Sequence, residues 1–525
     1  MKRVLVLTLI FALLFCACAS PQTAMTVTES PEPPPEEPTP TPTALPAAPP
    51  AVEDDGQFTL RWLSSDSMNP YSCSTETNRL LSSLLFETLI TVSPEFTAEP
   101  ALCTAWETDD GGRSFLLTLR DGAVFSDGSP MSIWDVIYSI NRAREITSAY
   151  ATRLSDVSEV GMGESGFSVR ITLNSANPSF PLRLDVPIVK EGSAYRDLPV
   201  GSGPYLFFED ENGAWLQANE RYASSQALPF ARIELQEFPA EALGACLASG
   251  ELDLLAADPG VLSTFNSEST VRRTVPTSIL CYLGLNTASE ALSEPGRRRL
   301  INALLDRGSL SGILGGEETY TPLHPRLSET DVESARAWIP GSISDYCIDI
   351  LTEDYDGDGM LEYFRDGLPT PFGFELLVCS ENESATAAAR SIADDLRVKG
   401  VAVELRLLNE SQFLRAIQNR DYDAFLASMR LTADFDPTAL YANLGDDMLR
   451  TLAASFRTSE GEAREKAASE ICAYGAECCR VIPLTFLRRA VYTRQGAIRD
   501  MSPTWTDPFH GLAAWQVGQK TEESP

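Results

Sequence analysis

The strongest constraint on the fold is an alternation of strand-like and helix-like segments between residues 374 and 428. The apolar residues change from the pattern of a buried strand to the 3.6-residue spacing of a helix and back again. Gly400 follows the longer helical segment, as glycine commonly does at a helix C-terminus. We predict strands at 374–379, 401–407 and 424–428 and helices at 384–399 and 410–419. This order predicts parallel strand pairing in an α/β lobe, because a connecting helix lets the next strand run in the same direction as the last.

The preceding part of the chain mixes strand, hairpin and helix signals. Strands are predicted at 58–62 and 114–120 and helices at 78–90 and 294–314. Ser132 stands three residues before Asp135, which is the spacing of a helix capping box, so we predict another helix from there to residue 144. An α+β first half followed by an α/β second half is most simply arranged as two lobes with a cleft between them.

The first 18 residues have the layout of a secretion signal that ends in a lipid attachment site. Lys2 and Arg3 precede an apolar run at 4–15, which is shorter than the roughly 20 apolar residues that a membrane-spanning helix needs. Cys18 follows this run within a group of small residues, an arrangement that resembles a bacterial lipobox. We predict that Cys18 carries the lipid. Cys16 is the alternative site, and an ordinary cleaved signal without a lipid is the alternative interpretation.

Residues 19–56 are predicted to form an extended linker. Between positions 21 and 55 the chain consists mainly of proline, threonine, glutamate and alanine, so it has too little apolar surface to offset the entropy lost on ordering. Its prolines favour a stiff, extended chain. A lipid anchor followed by such a spacer would hold a folded body away from a membrane surface.

The charge of the chain limits its partners. The 525 residues include 74 Asp and Glu against 41 Lys and Arg, a formal net charge of −33. Nucleic-acid binding needs a basic stripe to meet the phosphates, and binding to anionic lipids needs a polybasic segment, so both are excluded.

The body that begins near residue 57 is too long for one ordinary domain.

The sequence contains no recognisable catalytic or metal-binding motif. It lacks the G-x-S-x-G elbow, the H-E-x-x-H zinc motif, the Walker loop and the Rossmann fingerprint. Its two histidines, His324 and His510, are not near a pair of cysteines, and the cysteines beyond Cys18 are scattered. This pattern lacks zinc-ligand spacing and favours thiols packed in a core. We therefore predict that the protein is not an enzyme and holds no cofactor.

An acidic turn at 353–359 partly matches a calcium-binding loop. Asp354, Asp356 and Asp358 fit the first, third and fifth positions of an EF-hand loop. Arg365 stands at the twelfth position, where the loop needs a glutamate that supplies two ligand oxygens. We therefore predict no metal at this turn.

A series of short segments in chain order shares its pattern with one known family. They are the segments at 68–70, 84–90, 100–106, 115–130, 134–139, 201–205, 283–286, 297–306 and 481–484. Each is weak by itself, because glycine and proline are common at turns, as in the G-S-G-P-Y run at 201–205. Together they resemble the extracytoplasmic solute-binding protein family 5, the peptide, dipeptide, nickel and oligosaccharide binders of ABC importers.

The resemblance implies a two-lobed α/β fold of the periplasmic-binding-protein type (type II) with an extra subdomain inserted in the first lobe. The two lobes would close around a ligand by a hinge motion. The implied boundaries are 57–98 with 201–280 and 484–520 for lobe I, 99–200 for the inserted subdomain and 281–483 for lobe II.

The resemblance also implies a function. The chain would be an extracytoplasmic monomer, anchored to the cell membrane by its lipid, that captures a peptide-like solute and delivers it to the permease subunits of an ABC importer. Two alternatives stay open. The cargo could be different, such as an oligosaccharide or a nickel chelate, or the protein could sense a peptide without importing it.

The implied ligand contacts lie in two loops. Asp434 falls on the family aspartate that pairs with the ligand's α-amino group, in a loop after a predicted strand, where ligands gather in α/β folds. Leu431 stands where the family has a tryptophan. Ser74, Thr75 and Glu76 match the loop that contacts the ligand from the other lobe. The alternative is a purely local role, as a turn residue for Asp434 and as a helix N-cap cluster for residues 74–76.

Overall fold

The computed structural model describes residues 58–223, 228–257, 269–327, 352–442 and 444–517. The predicted anchor at 1–18, with Cys18, and the predicted linker at 19–56 lie outside these residues. Among the described residues, no helix combines the length and the apolar character that crossing a membrane requires.

The strands are β1 (Thr59–Arg61), β2 (Ile90–Val92), β3 (Ala98–Pro100), β4 (Cys103–Asp109), β5 (Ser114–Leu119), β6 (Val157–Met162), β7 (Ser168–Leu173), β8 (Tyr205–Asp210), β9 (Gly213–Ala218), β10 (Arg232–Gln236), β11 (Leu254–Ala256), β12 (Thr270–Leu285), β13 (Gly316–Glu318), β14 (Glu362–Arg365), β15 (Leu368–Pro371), β16 (Gly373–Cys379), β17 (Ala402–Leu408), β18 (Ala424–Arg430), β19 (Val481–Arg494), β20 (Ile498–Arg499) and β21 (Gln516–Val517). The helices are α1 (Glu76–Leu85), α2 (Ile133–Ala143), α3 (Leu243–Ser249), α4 (Pro295–Leu304), α5 (Arg307–Leu314), α6 (Glu383–Val398), α7 (Glu410–Asn419), α8 (Thr438–Tyr441), α9 (Asp447–Thr458) and α10 (Gly461–Cys478). Short 3₁₀ turns lie at Phe180–Arg183, Ala240–Ala242 and Leu512–Ala514.

One mixed sheet of 11 strands runs through the molecule in the order β17-β16-β18-β12-β19-β11-β1-β10-β9-β8, with β13 paired to β19 beside this path. Its middle is the antiparallel pair of β12 and β19, strands of 16 and 14 residues. The register of this pair shifts between Pro276 and Leu280. Such a shift bends strands locally, and here it lies in the pair that joins the two halves of the sheet.

The predicted α/β unit at 374–428 is confirmed. β16 pairs in parallel with both β17 and β18, and α6 and α7 connect these strands in chain order. Each helix begins at an asparagine, Asn382 or Asn409, whose side chain accepts a hydrogen bond from a backbone N–H of the first turn. The apolar stripe of α6 includes Ile392 and Leu396, which are buried against the sheet.

A separate sheet of four strands, in the order β4-β5-β7-β6, is formed by residues 103–173. Helix α2 contacts this sheet and begins at Ser132, whose backbone N–H and hydroxyl both donate to the Asp135 carboxylate at 2.8 Å. The capping residues were therefore predicted correctly. The sheet falls inside the range 99–200 predicted for the inserted subdomain, although the boundaries of the lobes stay predictions.

The strands predicted at 58–62 and 114–120 are confirmed as β1 and β5, but the helix predicted at 78–90 was drawn too long. Helix α1 ends at Leu85, Phe86 is extended with φ −133° and ψ 130°, and Ile90 begins β2. The cause is a close approach that the local pattern does not contain. Gly203 donates its N–H to the Leu85 carbonyl at 3.0 Å, and a Cβ at this glycine would lie 2.4 Å from the Leu85 carbonyl carbon.

The helix predicted at 294–314 is in fact two helices. Leu305 is extended, and Asp306 begins α5 by accepting a hydrogen bond from the backbone N–H of Ser309 at 3.1 Å. An aspartate with this geometry is a helix N-cap, so the chain turns here although the apolar pattern continues. The predicted end is correct, because Gly315 adopts the left-handed conformation with φ 68°.

Candidate functional site

The loop that carries Asp434 is hydrogen-bonded to β12 at the register shift of that strand. The Ser278 hydroxyl donates to the Leu431 carbonyl at 2.6 Å, and the Leu431 N–H donates to the Ser278 carbonyl at 2.9 Å. Next to it, the Thr277 hydroxyl donates to the Leu487 carbonyl of β19 at 2.6 Å. The loop after β18 therefore leaves the sheet where the two halves meet.

Asp434 is buried, with 2% of its surface exposed, and it faces a cation of the same chain. The Arg183 guanidinium donates from Nη2 and Nε to Asp434 Oδ2 at 2.7 and 3.0 Å, and Asn177 Nδ2 donates to the same oxygen at 2.9 Å. Asp434 Oδ1 has no partner in good hydrogen-bond geometry among the described residues, although the nearby Thr432 side chain helps to lower the pKa of the carboxyl. The carboxylate therefore has one oxygen that is saturated and one that is open to a further donor.

Arg183 bridges two carboxylates of this loop, since its Nη2 also donates to Asp436 Oδ2 at 2.9 Å. Burial acts to raise the pKa of the Asp434 carboxyl, but the Arg183 guanidinium outweighs it and holds that pKa below its ordinary value. The same two carboxylates raise the pKa of Arg183 against the opposing effect of burial. Asp434 and Arg183 are therefore both charged at neutral pH.

Ser74 and Thr75 lie together around Asp66. The Asp66 carboxylate accepts from the backbone N–H and hydroxyl of both residues, at 2.6 to 3.1 Å. Burial favours a raised pKa for Asp66, but these hydrogen bonds lower it. Thr75 is also the N-cap of α1, so the local role left open from the sequence is present in the structure. The ligand contact of these two residues stays a prediction.

The Glu76 side chain lies among a group of arginines. Its carboxylate pairs with Arg489 of β19, with Arg79 of α1 at 2.7 Å and with Arg430 at the end of β18 at 3.7 Å. Burial alone would raise the pKa of Glu76, but Arg489, Arg430 and Arg79 together hold it far below its ordinary range. Glu76 therefore connects the start of α1 to β18 and to the central strand β19 of the large sheet.

The structure thus places Asp434 in an ion-pair cluster with Arg183 and Glu76 in a second cluster with Arg79, Arg430 and Arg489. In each cluster a side chain from residues 58–200 meets side chains that follow residue 424. The sequence analysis missed Arg183, Arg430 and Arg489. A signal for Arg489 was available, because a charged residue inside a long apolar strand is seldom buried without a partner or a function.

The acidic turn forms a second group of carboxylates. Asp354, Asp356, Asp358 and Glu362 bring ligand-type oxygens within 4.8 Å of one another, and the first three are exposed. Glu362 was not foreseen, while Arg365 turns to Glu290 and pairs with it at 2.6 Å. Exposed acidic groups are common without a metal, so the prediction that no metal binds here stays a prediction.

Comparison with known proteins assigns the chain to a family. The model of the bacterial extracellular solute-binding proteins, family 5 (middle), matches residues 97–447, which is more than half of the chain. The chain belongs to this family. The resemblance read from the sequence is therefore confirmed.

Two curated relatives show how low the sequence identity between this family 5 protein and other proteins is. It is 24% identical over 384 residues to the oligopeptide-binding protein AppA of Bacillus subtilis (strain 168), covering 67% of this chain and 69% of AppA. It is 26% identical over 258 residues to protein XP55 of Streptomyces lividans, a match that spans 46% of this chain and about half, 47%, of that relative.

Solved structures show the fold. NikZ from Campylobacter jejuni, in complex with Ni(L-His), matches 88% of this chain and 100% of its own with a TM-score of 0.65 at 19% identity. The substrate-binding protein CtaP of Listeria monocytogenes matches 89% of this chain and 100% of its own, with a TM-score of 0.71 at 16% identity. The α/β periplasmic-binding-protein fold of family 5 predicted from the sequence is confirmed.

Replacing Arg183 with methionine tests the buried pair. Arg183→Met leaves Asp434 buried without its cation, so we expect the free energy of unfolding at pH 7 to fall by about 3–5 kcal/mol. Urea denaturation measures this change. The matched control is Arg170→Met, because Arg170 pairs on the surface with Asp109 at 3.2 Å and such pairs contribute about 0–1 kcal/mol.

The difference in unfolding free energy between wild type and Arg183→Met should depend on pH in a defined direction. Because the folded-state pKa of Asp434 lies below the unfolded value of about 3.9, its contribution is present above that pH and is lost as the pH falls through the folded-state pKa. In Arg183→Met burial raises that pKa, so the carboxyl is protonated more readily. The difference between wild type and variant should be largest near pH 7 and shrink below about pH 4. An equal difference at both pH values would contradict the ion-pair assignment.

Proposed function

We propose that this family 5 protein is a lipid-anchored, monomeric substrate-binding protein of an ABC importer that captures a peptide-like solute between two closing lobes and delivers it to the permease. The observation that carries the proposal is the open oxygen of Asp434 at the junction of the large sheet. Asp434 lies in a loop that follows a strand of the sheet, and α/β proteins commonly bind ligands in such loops. A relative named as an oligopeptide-binding protein supports a peptide as the cargo.

Asp434 is the proposed partner of the solute's ammonium group. A carboxylate that is 2% exposed gains more from a charged donor than a surface carboxylate does, because little water competes for it. Arg183 and Asn177 hold Oδ2 and so fix the orientation of the carboxylate, which leaves Oδ1 for the ligand. The solute would enter when the lobes open and would complete the hydrogen bonding of Asp434 when they close.

The proposed lobes follow the division of the large sheet. β17, β16 and β18 lie on one side of the β12–β19 pair, while β11, β1, β10, β9 and β8 lie on the other. Among the described strands, only the central pair belongs to both sides, so a bend at its register shift would move one half against the other. The proposed boundaries at 201–280 and 281–483 meet next to this shift.

Replacing Asp434 with asparagine tests the proposed amine site. Removing the charge of a buried, paired group costs about 3–5 kcal/mol, which corresponds to a loss of affinity of roughly two to four orders of magnitude. The ligand is first found by calorimetric screening of peptides of two to five residues. N-acetylation of that peptide should remove most of the same energy, and the two changes should not add.

Asp436→Asn is the matched control for this test. Asp436 contacts the same guanidinium, so the control reports on disturbance of Arg183 without touching the open oxygen of Asp434. We expect it to keep wild-type affinity within about threefold. If Asp434→Asn binds the peptide as tightly as wild type, Asp434 is only a loop residue.

The proposed anchor is tested separately. We expect Cys18→Ser to release the protein from the membrane fraction and to abolish incorporation of a labelled fatty acid, because the apolar run at 4–15 is too short to span the bilayer. Cys16→Ser is the control and should leave both properties unchanged. Membrane-bound, labelled Cys18→Ser protein would show that the lipid is carried elsewhere.

A further inference from the structure

A cavity lies within the range proposed for lobe II, between α8, α10 and the start of β19. Its volume is about 20 Å³, which is enough for one water molecule or one ion of similar size. We call it the β19 cavity. Its walls include Asn302, Tyr441, Gly475, Arg480 and Pro483. Neither Asp434 nor Glu76 lines it, so the β19 cavity is separate from the site proposed for the solute.

Tyr441 presents a buried hydroxyl to the β19 cavity. The residue is 2% exposed, and its hydroxyl makes no hydrogen bond among the described residues. A Cβ at Gly475 would lie 3.9 Å from this oxygen and would meet no other atom outside its own helix within 4 Å, so open space adjoins the hydroxyl. Burial raises the pKa of Tyr441 well above its ordinary value, so the hydroxyl keeps its proton. A buried tyrosine hydroxyl normally has a partner, and here the partner that is missing is an acceptor.

Two buried guanidinium groups stand behind the wall of the β19 cavity without a carboxylate. Arg298 donates to the Cys478 carbonyl at 2.7 Å, and Arg307 donates to the carbonyls of Pro483 and Asn302, each at 3.1 Å. Both arginines are 3% exposed. Every hydrogen bond that they make among the described residues goes to a neutral oxygen.

The acidic groups nearby do not neutralise these two charges. Asp446 pairs with Arg480 of the cavity wall at 2.8 Å. Glu294 and Glu318 act on the buried guanidinium groups without forming an ion pair with them among the described residues. Burial lowers the pKa of both groups, that of Arg307 to about 10, so both remain charged at neutral pH. A buried charge without a counter-charge is costly, and an anion held close to it reduces that cost.

We propose that the β19 cavity binds a single halide ion such as chloride, which accepts a hydrogen bond from the Tyr441 hydroxyl and offsets the two buried guanidinium charges. The inference goes beyond the proposed function and does not depend on it. The volume of the cavity suits one ion rather than a peptide. A water molecule would also accept the hydrogen bond of Tyr441, but only an anion offsets the charges.

Thermal unfolding of the full-length protein in sodium chloride and in sodium gluconate, at equal ionic strength, tests this inference. We expect the melting temperature of wild type to rise with the chloride concentration and not with gluconate, because a ligand that binds only the folded state stabilises it. Tyr441→Phe removes the donor and should raise the apparent dissociation constant for chloride about tenfold to a hundredfold, as expected for a hydrogen bond to a charged group.

Gly475→Ala closes the same space while keeping the hydroxyl of Tyr441. Alanine is more favourable than glycine inside a helix, so the variant should be at least as stable as wild type in gluconate and should lose most of the response to chloride. Tyr282→Phe is the matched control. Tyr282 is 4% exposed, its hydroxyl also makes no hydrogen bond among the described residues, and it does not line the β19 cavity. This control should respond to chloride as wild type does.

Bromide locates the ion directly and distinguishes it from water. Crystals grown in gluconate and soaked in sodium bromide should show an anomalous-scattering peak beside the Tyr441 hydroxyl in wild type and none there in Gly475→Ala. Should Tyr441→Phe not fold, Gly475→Ala decides the point. Equal melting temperatures of wild type in chloride and gluconate, an unchanged chloride response in Gly475→Ala, or bromide only at other positions would overturn the inference. None of these results bears on peptide binding, so the proposed function stands or fails separately.

Discussion

The antiparallel pair of β12 and β19 is the contact on which the arrangement of the rest depends. It forms the middle of the large sheet, and β18 and β11 attach the two halves to its edges. Its register shift at Pro276 to Leu280 frees Ser278 to hold the loop of Asp434 and lies beside Arg489. One irregularity in a backbone ladder therefore positions both of the buried ion-pair clusters. Bulges in long strands commonly serve this purpose near functional sites.

The buried charges join segments that are far apart in the sequence. Burying an ion pair removes both groups from water, and this cost is recovered only when the geometry is good and the remaining lone pairs and N–H groups are satisfied. Here one oxygen of Asp434 and two nitrogens of Arg489 stay unsatisfied among the described residues. In the proposed function, an ammonium group of the solute would supply the missing donor at Asp434, so binding of the solute and closure of the lobes would favour each other.

The sequence predicted the parts of this structure that depend on local patterns. The strands and helices between 373 and 430, the capping residues Ser132 and Asp135 and the family itself follow from apolar spacing and short motifs. What it could not predict depends on contacts between residues far apart in the chain. The early end of α1 requires Gly203, and the partner of Asp434 is Arg183, 251 residues away. No local periodicity encodes such pairs, because they are set by how the elements pack.

Native mass spectrometry of the protein tests the central proposal, that the protein captures a short peptide whose ammonium group pairs with Asp434. The protein is incubated with a tryptic digest of casein, separated from unbound peptides by gel filtration and sprayed under native and denaturing conditions. We expect one solute per chain, with the mass of a short peptide, in the native spectrum alone, and a much smaller bound fraction for Asp434→Asn. A native spectrum with the mass of the bare chain, or equal loading of wild type and Asp434→Asn, would contradict the claim.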